Sequence, residues 1–217
     1  MIECDFSYRH YEECIRLAKA RSYQFYCFRE CDEELEEKSI FMRHDVDHCL
    51  DLAVKMAKFE SEMDIKSTYF VRVHAKNYNA LSLESSRKLR SILDLGHEIG
   101  LHYEPSYGEI MHIEQLHALN HDIGVLENSV GRHIVGLSPH EPSRDGSLTI
   151  SAELLHEAEL EYQAYDDRFF KDMKYISDSS CNWREGCMHE FIVGGFKKIC
   201  ILTHPFWWYD KTPLENY

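Results

Sequence analysis

Residues 39–54, SIFMRHDVDHCLDLAV, constrain the fold more than any other stretch of the chain. Ile40, Phe41 and Met42 form an apolar run suited to a buried strand. Arg43, His44, Asp45, Asp47 and His48 then crowd ionisable side chains into a few positions. Beyond them Leu50, Ala53, Val54 and Ala57 recur at helical spacing. In α/β proteins, ligands bind where a strand hands over to a helix in this way. Alternate side chains of an extended segment share a face, so Asp45 and Asp47 point the same way. Two carboxylates that close repel, unless a cation lies between them or one holds a proton. A merely solvated turn would not need an apolar strand leading directly into it.

The same grammar repeats along the chain. Residues 23–28, 66–73, 97–102, 133–137, 162–165, 174–177 and 198–202 read as further strands. Residues 7–21, 50–62, 83–95, 109–129 and 151–160 read as helices, with Gly96 and Gly131 as stops. Pro105 breaks the chain into a loop. Strands alternating with helices imply an α/β fold with a parallel sheet and right-handed crossovers. Periodicity alone does not separate an open sheet from a barrel. Asp45 and Asp47, His102 and Glu104, His140, Asp178 and His204 all stand at C-terminal ends of strands. In a parallel sheet or barrel those ends converge on one face, and that convergence is the main indication of an active site.

A chain of 217 residues suffices for a single domain spanning residues 1–217. With 24 basic against 38 acidic residues its formal charge is -14, which argues against a nucleic-acid backbone or an anionic membrane as the main partner. No apolar run is long enough for membrane insertion, and the first residues lack the apolar core of a signal peptide. The eight cysteines include no C-x-x-C pair, so a zinc knuckle is not expected. These features describe a reduced, cytoplasmic protein that uses its thiols as small hydrophobes.

An aspartate, a histidine and a third N/O ligand make a site for zinc or a similar divalent ion. With Asp47 on the metal, Asp45 is placed to take a proton from water, and His204 to protonate a leaving amine. That combination hydrolyses an amide or an ester. The blander alternatives are a loop hydrogen bond for His204 and a structural role for His102. For His97, just after a helix-stopping glycine, a hydrogen-bonding role at the start of a strand is the better reading.

Five segments, in order, resemble the NodB-like polysaccharide deacetylases of the carbohydrate esterases. Arg43-His44-Asp45-Val46-Asp47 is similar to that family's first motif, in which one aspartate is the base and the next binds metal. Lys66 to Phe70 resembles the strand that follows it. Gly96-His97-Glu98-Ile99-Gly100-Leu101-His102 resembles the second motif, whose terminal histidine binds metal. Pro139 to Pro142 is similar in place to the third, groove-lining motif, and Asp178 to Trp183 to the fourth. Leu202-Thr203-His204 resembles the fifth, which carries the acid histidine. The resemblance covers residues 38–208, and HDVD, GHEIGLHYE and THPFWW look like a branch found with surface-polysaccharide genes. It implies a distorted parallel (β/α) barrel, a divalent metal ion with zinc as first choice, and removal of acetyl from an N-acetyl sugar.

Two departures from the pattern bear on the site. The family's further histidine, four places beyond the first, is Ser106 here. Glu104 and His140 are therefore the candidates for third ligand, with Glu104 favoured because it shares a strand face with His102. The third motif's arginine, which orients the base, is replaced by His140 and Glu141, so Arg43 or Arg184 is left to substitute. His140, Asp178, Trp183, Arg184 and Trp207 are the candidates for substrate binding; the three tryptophans, Trp208 included, all adjoin motif positions and suit sugar stacking. The expected function is metal-dependent deacetylation of a sugar or of a nucleotide- or lipid-linked polysaccharide precursor. The alternatives are a non-catalytic sugar-binding relative and another metal-dependent amide or glycoside hydrolase.

Overall fold

The computed structural model describes residues 4–31, 35–142 and 150–217. Eight strands lie in one sheet: β1 (Gln24–Tyr26), β2 (Ser39–Val46), β3 (Thr68–Val71), β4 (Glu98–Tyr103), β5 (Gly136–Pro139), β6 (Tyr162–Gln163), β7 (Lys174–Ser177) and β8 (Lys198–Thr203). The helices are α1 (Tyr8–Ala20), α2 (Leu50–Glu62), α3 (Leu83–Asp94), α4 (Ser106–Met111), α5 (Gln115–Val130), α6 (Ala152–Glu157), α7 (Asp167–Phe170) and α8 (Met188–Gly194). The sheet runs β6-β5-β4-β3-β2-β8-β7, with β1 added beside β2. Every ladder is parallel. The described residues contain no ladder between β6 and β7, so the curled sheet is a distorted (β/α) barrel. Among the described residues no helix is long and apolar enough to cross a membrane.

Strand β2 is buried along its whole length, which suits a strand with neighbours on both edges and side chains packed on both faces. Its alternation sorts residues into two cores. Phe41 turns inward, where Phe28, Phe70, Tyr162 and Phe169 plug the barrel. Ile40, Met42 and Val46 turn outward, against Ala53, Met56 and Ala57 of α2. Each such side chain contributes roughly 1.5–3 kcal/mol by leaving water. The plug leaves no spare room at Gly136, where a Cβ would stand 2.0 Å from the nearest Tyr162 ring carbon. That ring cannot swing away, because its hydroxyl donates to Glu98 at 2.8 Å.

The outward face also carries a buried polar network. Glu60 of α2 accepts hydrogen bonds from Tyr11 Oη (2.5 Å), Ser67 Oγ (2.5 Å), Tyr69 Oη (2.7 Å) and His44 Nε2 (2.9 Å). His97 joins it through Ser67 and donates from Nε2 to Ala57 O at 2.9 Å, in keeping with a hydrogen-bonding role. Burial raises the Glu60 carboxyl, but the attraction and hydrogen bond of His44, with His97 and Ser67 behind them, bring it to about 2.

Two stretches differ from the sequence reading. The helix expected over 109–129 is two helices, and the first starts at Ser106, where a loop was expected. His112 takes a left-handed φ of 55° and caps α4, with Ile113 N–H donating to Gly108 O. The polar segment before β8 contains α8, which is too short for a periodic signal.

Two outcomes are expected. Gly136→Ala lowers stability by roughly 1–3 kcal/mol through overpacking, read as a lower urea midpoint; an unchanged midpoint would show that the plug can yield. The second concerns acid. A glutamate in an unfolded chain titrates near ~4.3, so the depressed value makes Glu60 fully stabilising above that pH. Its contribution is lost as the pH falls toward 2, and is worth about 3 kcal/mol. Urea unfolding across the acid range is therefore steeper with pH in the wild type than in Glu60→Gln. Equal slopes would remove Glu60 from the acid limb.

Candidate active site

At the C-terminal ends of the strands, β2, β4 and β5 bring three donor atoms together. Asp47 Oδ1 lies 3.3 Å from His102 Nε2 and 3.3 Å from His140 Nδ1, and the two nitrogens are 3.1 Å apart. These three residues form a group able to hold a metal ion. His102 Nδ1 donates to Ser138 O at 2.9 Å, which leaves Nε2 with its lone pair toward the cluster. Asp47 Oδ1 is buried and has no hydrogen-bond partner among the described residues. A buried, unpartnered carboxylate oxygen facing two imidazole nitrogens fits a divalent cation of the zinc type. Burial alone would raise the Asp47 carboxyl, but the close contacts with His102 and His140 hold it far below the usual range.

Asp45 stands one strand step below, on the same face. Arg43 Nη2 donates to its Oδ2 at 3.0 Å, and both side chains are buried. Burial works to protonate Asp45, but Arg43 outweighs it, with help from His102 and His204, and keeps the pKa lowered. The guanidinium lies over the ring of Tyr165 (4.7 Å) and that of Phe70 (5.6 Å), and also reaches Tyr165 Oη at 3.2 Å. Of the two arginines considered as substitutes for the family's orienting one, Arg43 is the one in contact with Asp45; Arg184 is exposed on the loop before α8.

Opposite, His204 follows the end of β8. Its Nδ1 donates to Asp178 Oδ1 at 2.6 Å, and its backbone N–H to Asp178 Oδ2 at 3.0 Å. Trp208 Nε1 donates to the same Oδ2 at 3.2 Å. Burial lowers the His204 pKa, but Asp178 raises it further, to about 9. Asp178 thus favours the charged imidazolium, and Nε2 lies 3.8 Å from Asp47 Oδ2.

Several sequence expectations need correction. Glu104 is not in the donor cluster: Arg72 Nε and Nη2 grip its carboxylate at 3.0 and 2.7 Å. A cation just past the end of the neighbouring β3 satisfies that charge, and His140 stands where Glu104 was expected. Asp178 is wholly buried beneath His204, so it positions the histidine and does not reach a substrate. Trp208 is core, packed edge-on against Phe6 and Tyr11. Trp183 stacks on Phe6 at 6.2 Å. Trp207 remains beside the site, its ring 6.3 Å from that of His204. Tyr165 was missed altogether, since nothing in the sequence ties it to Arg43.

The third donor can be tested directly. In purified protein, His140→Ala is expected to bind less divalent metal than wild type, while Glu104→Gln binds as much. Elemental analysis alongside wild type gives the answer, and the reverse pattern would restore Glu104 to the site.

No protein-family model matches the sequence, and no curated protein matches it. Solved structures do. A variant of a CE4 family pseudoenzyme from Bacillus anthracis, with restored enzymatic activity, aligns at a TM-score of 0.50 and 14% identity. The alignment covers 78% of this chain and 57% of that one, so the chain spans little more than half the length of that protein. A mutant of the peptidoglycan deacetylase PdaC from Bacillus subtilis aligns at 0.51 and 15% identity, covering 78% and 76% of the two chains. IcaB from Ammonifex degensii aligns at 0.51 and 14%, covering 71% and 74%. The chain thus shares the distorted (β/α) barrel fold of a CE4 family pseudoenzyme, a peptidoglycan deacetylase and IcaB.

Proposed function

We propose that the chain is a metal-dependent hydrolase that removes the acetyl group of an N-acetylated sugar, acting on carbohydrate as one catalytic domain. The observation that carries this reading is the completeness of the set around one point. Three donor atoms lie 3.1–3.3 Å apart, with a buried ionised carboxylate on one side and a protonated histidine on the other.

A divalent ion held by Asp47, His102 and His140 would supply Lewis-acid polarisation of the acetyl carbonyl and acidify water. Asp45, kept ionised by Arg43, accepts the proton of the water whose oxygen attacks the carbonyl carbon. The C–N bond then breaks, and His204 Nε2 gives its proton to the leaving nitrogen. The products are acetate and an amino sugar. Asp178 holds the imidazole with Nε2 toward the site and keeps it charged until that step. Trp207, beside His204, offers an aromatic face to the sugar ring.

The buried Cys14, Cys27 and Cys200 are free thiols, which suits a reducing, cytoplasmic setting. There the substrate of choice is a nucleotide- or lipid-linked precursor, in preference to finished polymer.

Three measurements test this reading. Asp45→Asn is expected to retain metal and lower kcat on an N-acetyl sugar substrate by ~10²–10⁴-fold. Full metal with undiminished sugar binding but no turnover in the wild type would favour a non-catalytic sugar-binding protein. His204→Ala is expected to lower kcat with little change in KM; a change in KM alone would make His204 a binding residue. Asp178 is the largest influence raising His204, so Asp178→Asn should move the alkaline limb of kcat to lower pH. An unmoved limb would mean that another group sets it.

A further inference from the structure

A second group of ligand-type side chains lies away from the barrel mouth, where α1 meets α8. We propose that Cys4, His10, Cys187 and His189 form a structural site for a tetrahedral divalent metal ion of the zinc type, clamping the N-terminal segment to the start of α8.

One ligand atom from each of the four residues can be chosen so that all lie within 4.8 Å of one another. His10 Nε2 is 3.1 Å from Cys187 Sγ, and Cys4 Sγ is 3.7 Å from His189 Nδ1. Zinc bonds of ~2.3 Å to sulfur and ~2.0–2.1 Å to nitrogen put tetrahedral ligands roughly 3.3–3.8 Å apart, so only small shifts are needed. The two imidazoles approach from different directions, their planes 82° apart. His10 and Cys187 are buried, His189 is half-buried and Cys4 is exposed. One side of the group is therefore open for an ion to enter. His10 Nδ1 is buried and has no hydrogen-bond partner among the described residues, with Glu13 Oε2 3.8 Å away. A carboxylate behind a histidine's second nitrogen is the usual outer-shell partner of a metal-bound imidazole.

Two thiolates and two imidazoles fill four positions and leave none for a substrate, which is the pattern of a structural ion. Its place in the fold gives it a task. Phe6, between Cys4 and His10, stacks on Trp183 of the loop that joins Asp178 to α8. The backbones of Phe6 and Tyr8 bond to Tyr209, just beyond the segment that carries His204. The clamp would thus brace both stretches that flank the Asp178–His204 pair. The ligands come as Cys4-x5-His10 and Cys187-x-His189, so no local cysteine spacing announces them.

Cobalt titration of the metal-free, reduced full chain, followed by absorption, tests the proposal. Thiolates give a ligand-to-cobalt charge-transfer band that the carboxylate and imidazoles of the Asp47 group cannot give. A band saturating at one cobalt per chain is expected. It should persist in His102→Ala, which removes a ligand of the other group, weaken to about half or less in Cys187→Ser and in Cys4→Ser, and disappear when both are replaced. Cys4 is exposed, so its replacement leaves the core intact and the result interpretable. Absence of the band in the reduced wild type overturns the proposal, and so does a band of undiminished strength in Cys4→Ser.

Discussion

The buried pair of Arg43 and Asp45 is the hinge on which the barrel's chemistry turns. An arginine with no exposed surface is tolerable only because its charge is met: Asp45 Oδ2 stands at 3.0 Å, and aromatic faces cover the guanidinium. Either residue alone would be an uncompensated buried charge costing several kcal/mol. Below the pair the barrel is filled with phenylalanine and tyrosine rings; above it stand the metal-type donors. The pair therefore divides a dry plug from a polar mouth. It also keeps Asp45 ionised in a place where burial favours the acid form.

The two-residue period of β2 makes this division possible. Arg43 and Asp45 face inward, and Asp47 continues that face just past the strand's end. His44, between them, faces outward, to Thr203 Oγ1 at 2.6 Å and Glu60 at 2.9 Å. Both faces of the strand thus hold buried ionisable groups, each with its own partners. Glu60 ties α1, α2, β2 and the start of β3 together from behind, so the outer network fixes the strand whose inner face carries the chemistry. A one-residue slip of β2 would send Arg43 toward Glu60 and His44 into the barrel, breaking both networks at once.

Much of this could be read in the sequence. The strand ends bearing Asp45, Asp47, His102, His140, Asp178 and His204 do converge, because parallel strands place their C-terminal ends on one face. What the sequence concealed was decided between strands. Glu104 looked like a ligand because it shares a face with His102, but Arg72 of the neighbouring segment claims it. Asp178 looked like a substrate-binding residue, and its partner His204 lies 26 positions away. Arg43 was the exception: it stands two residues before Asp45, so a shared strand face already implied their contact. The cysteine and histidine group at α1 and α8 was invisible for the opposite reason, its halves being 177 residues apart.

Register explains how Asp45 and His204 come to face each other. Strand β2 pairs with β8 so that His44 stands beside Thr203, which sets Asp45 level with His204 on the adjoining strand. On the other side Asp45 pairs with Phe70, and Phe70 with Gly100, so His102 stands two residues above the level of Asp45, beside Asp47. Gly100 leaves room for this arrangement: a Cβ there would come within 2.6 Å of the Phe70 ring, which lies under Arg43. Asp47, His140 and His204 each stand one residue past a strand's end, and His140 is held there by its backbone N–H donating to Tyr103 O at 2.7 Å. Asp45 and His102 thus sit within hydrogen-bonded ladders that cannot shift singly, and Asp47 and His204 directly follow the ends of such strands. A site set by register is preorganised by the same bonds that hold the barrel together, and weakening it locally requires moving a whole strand.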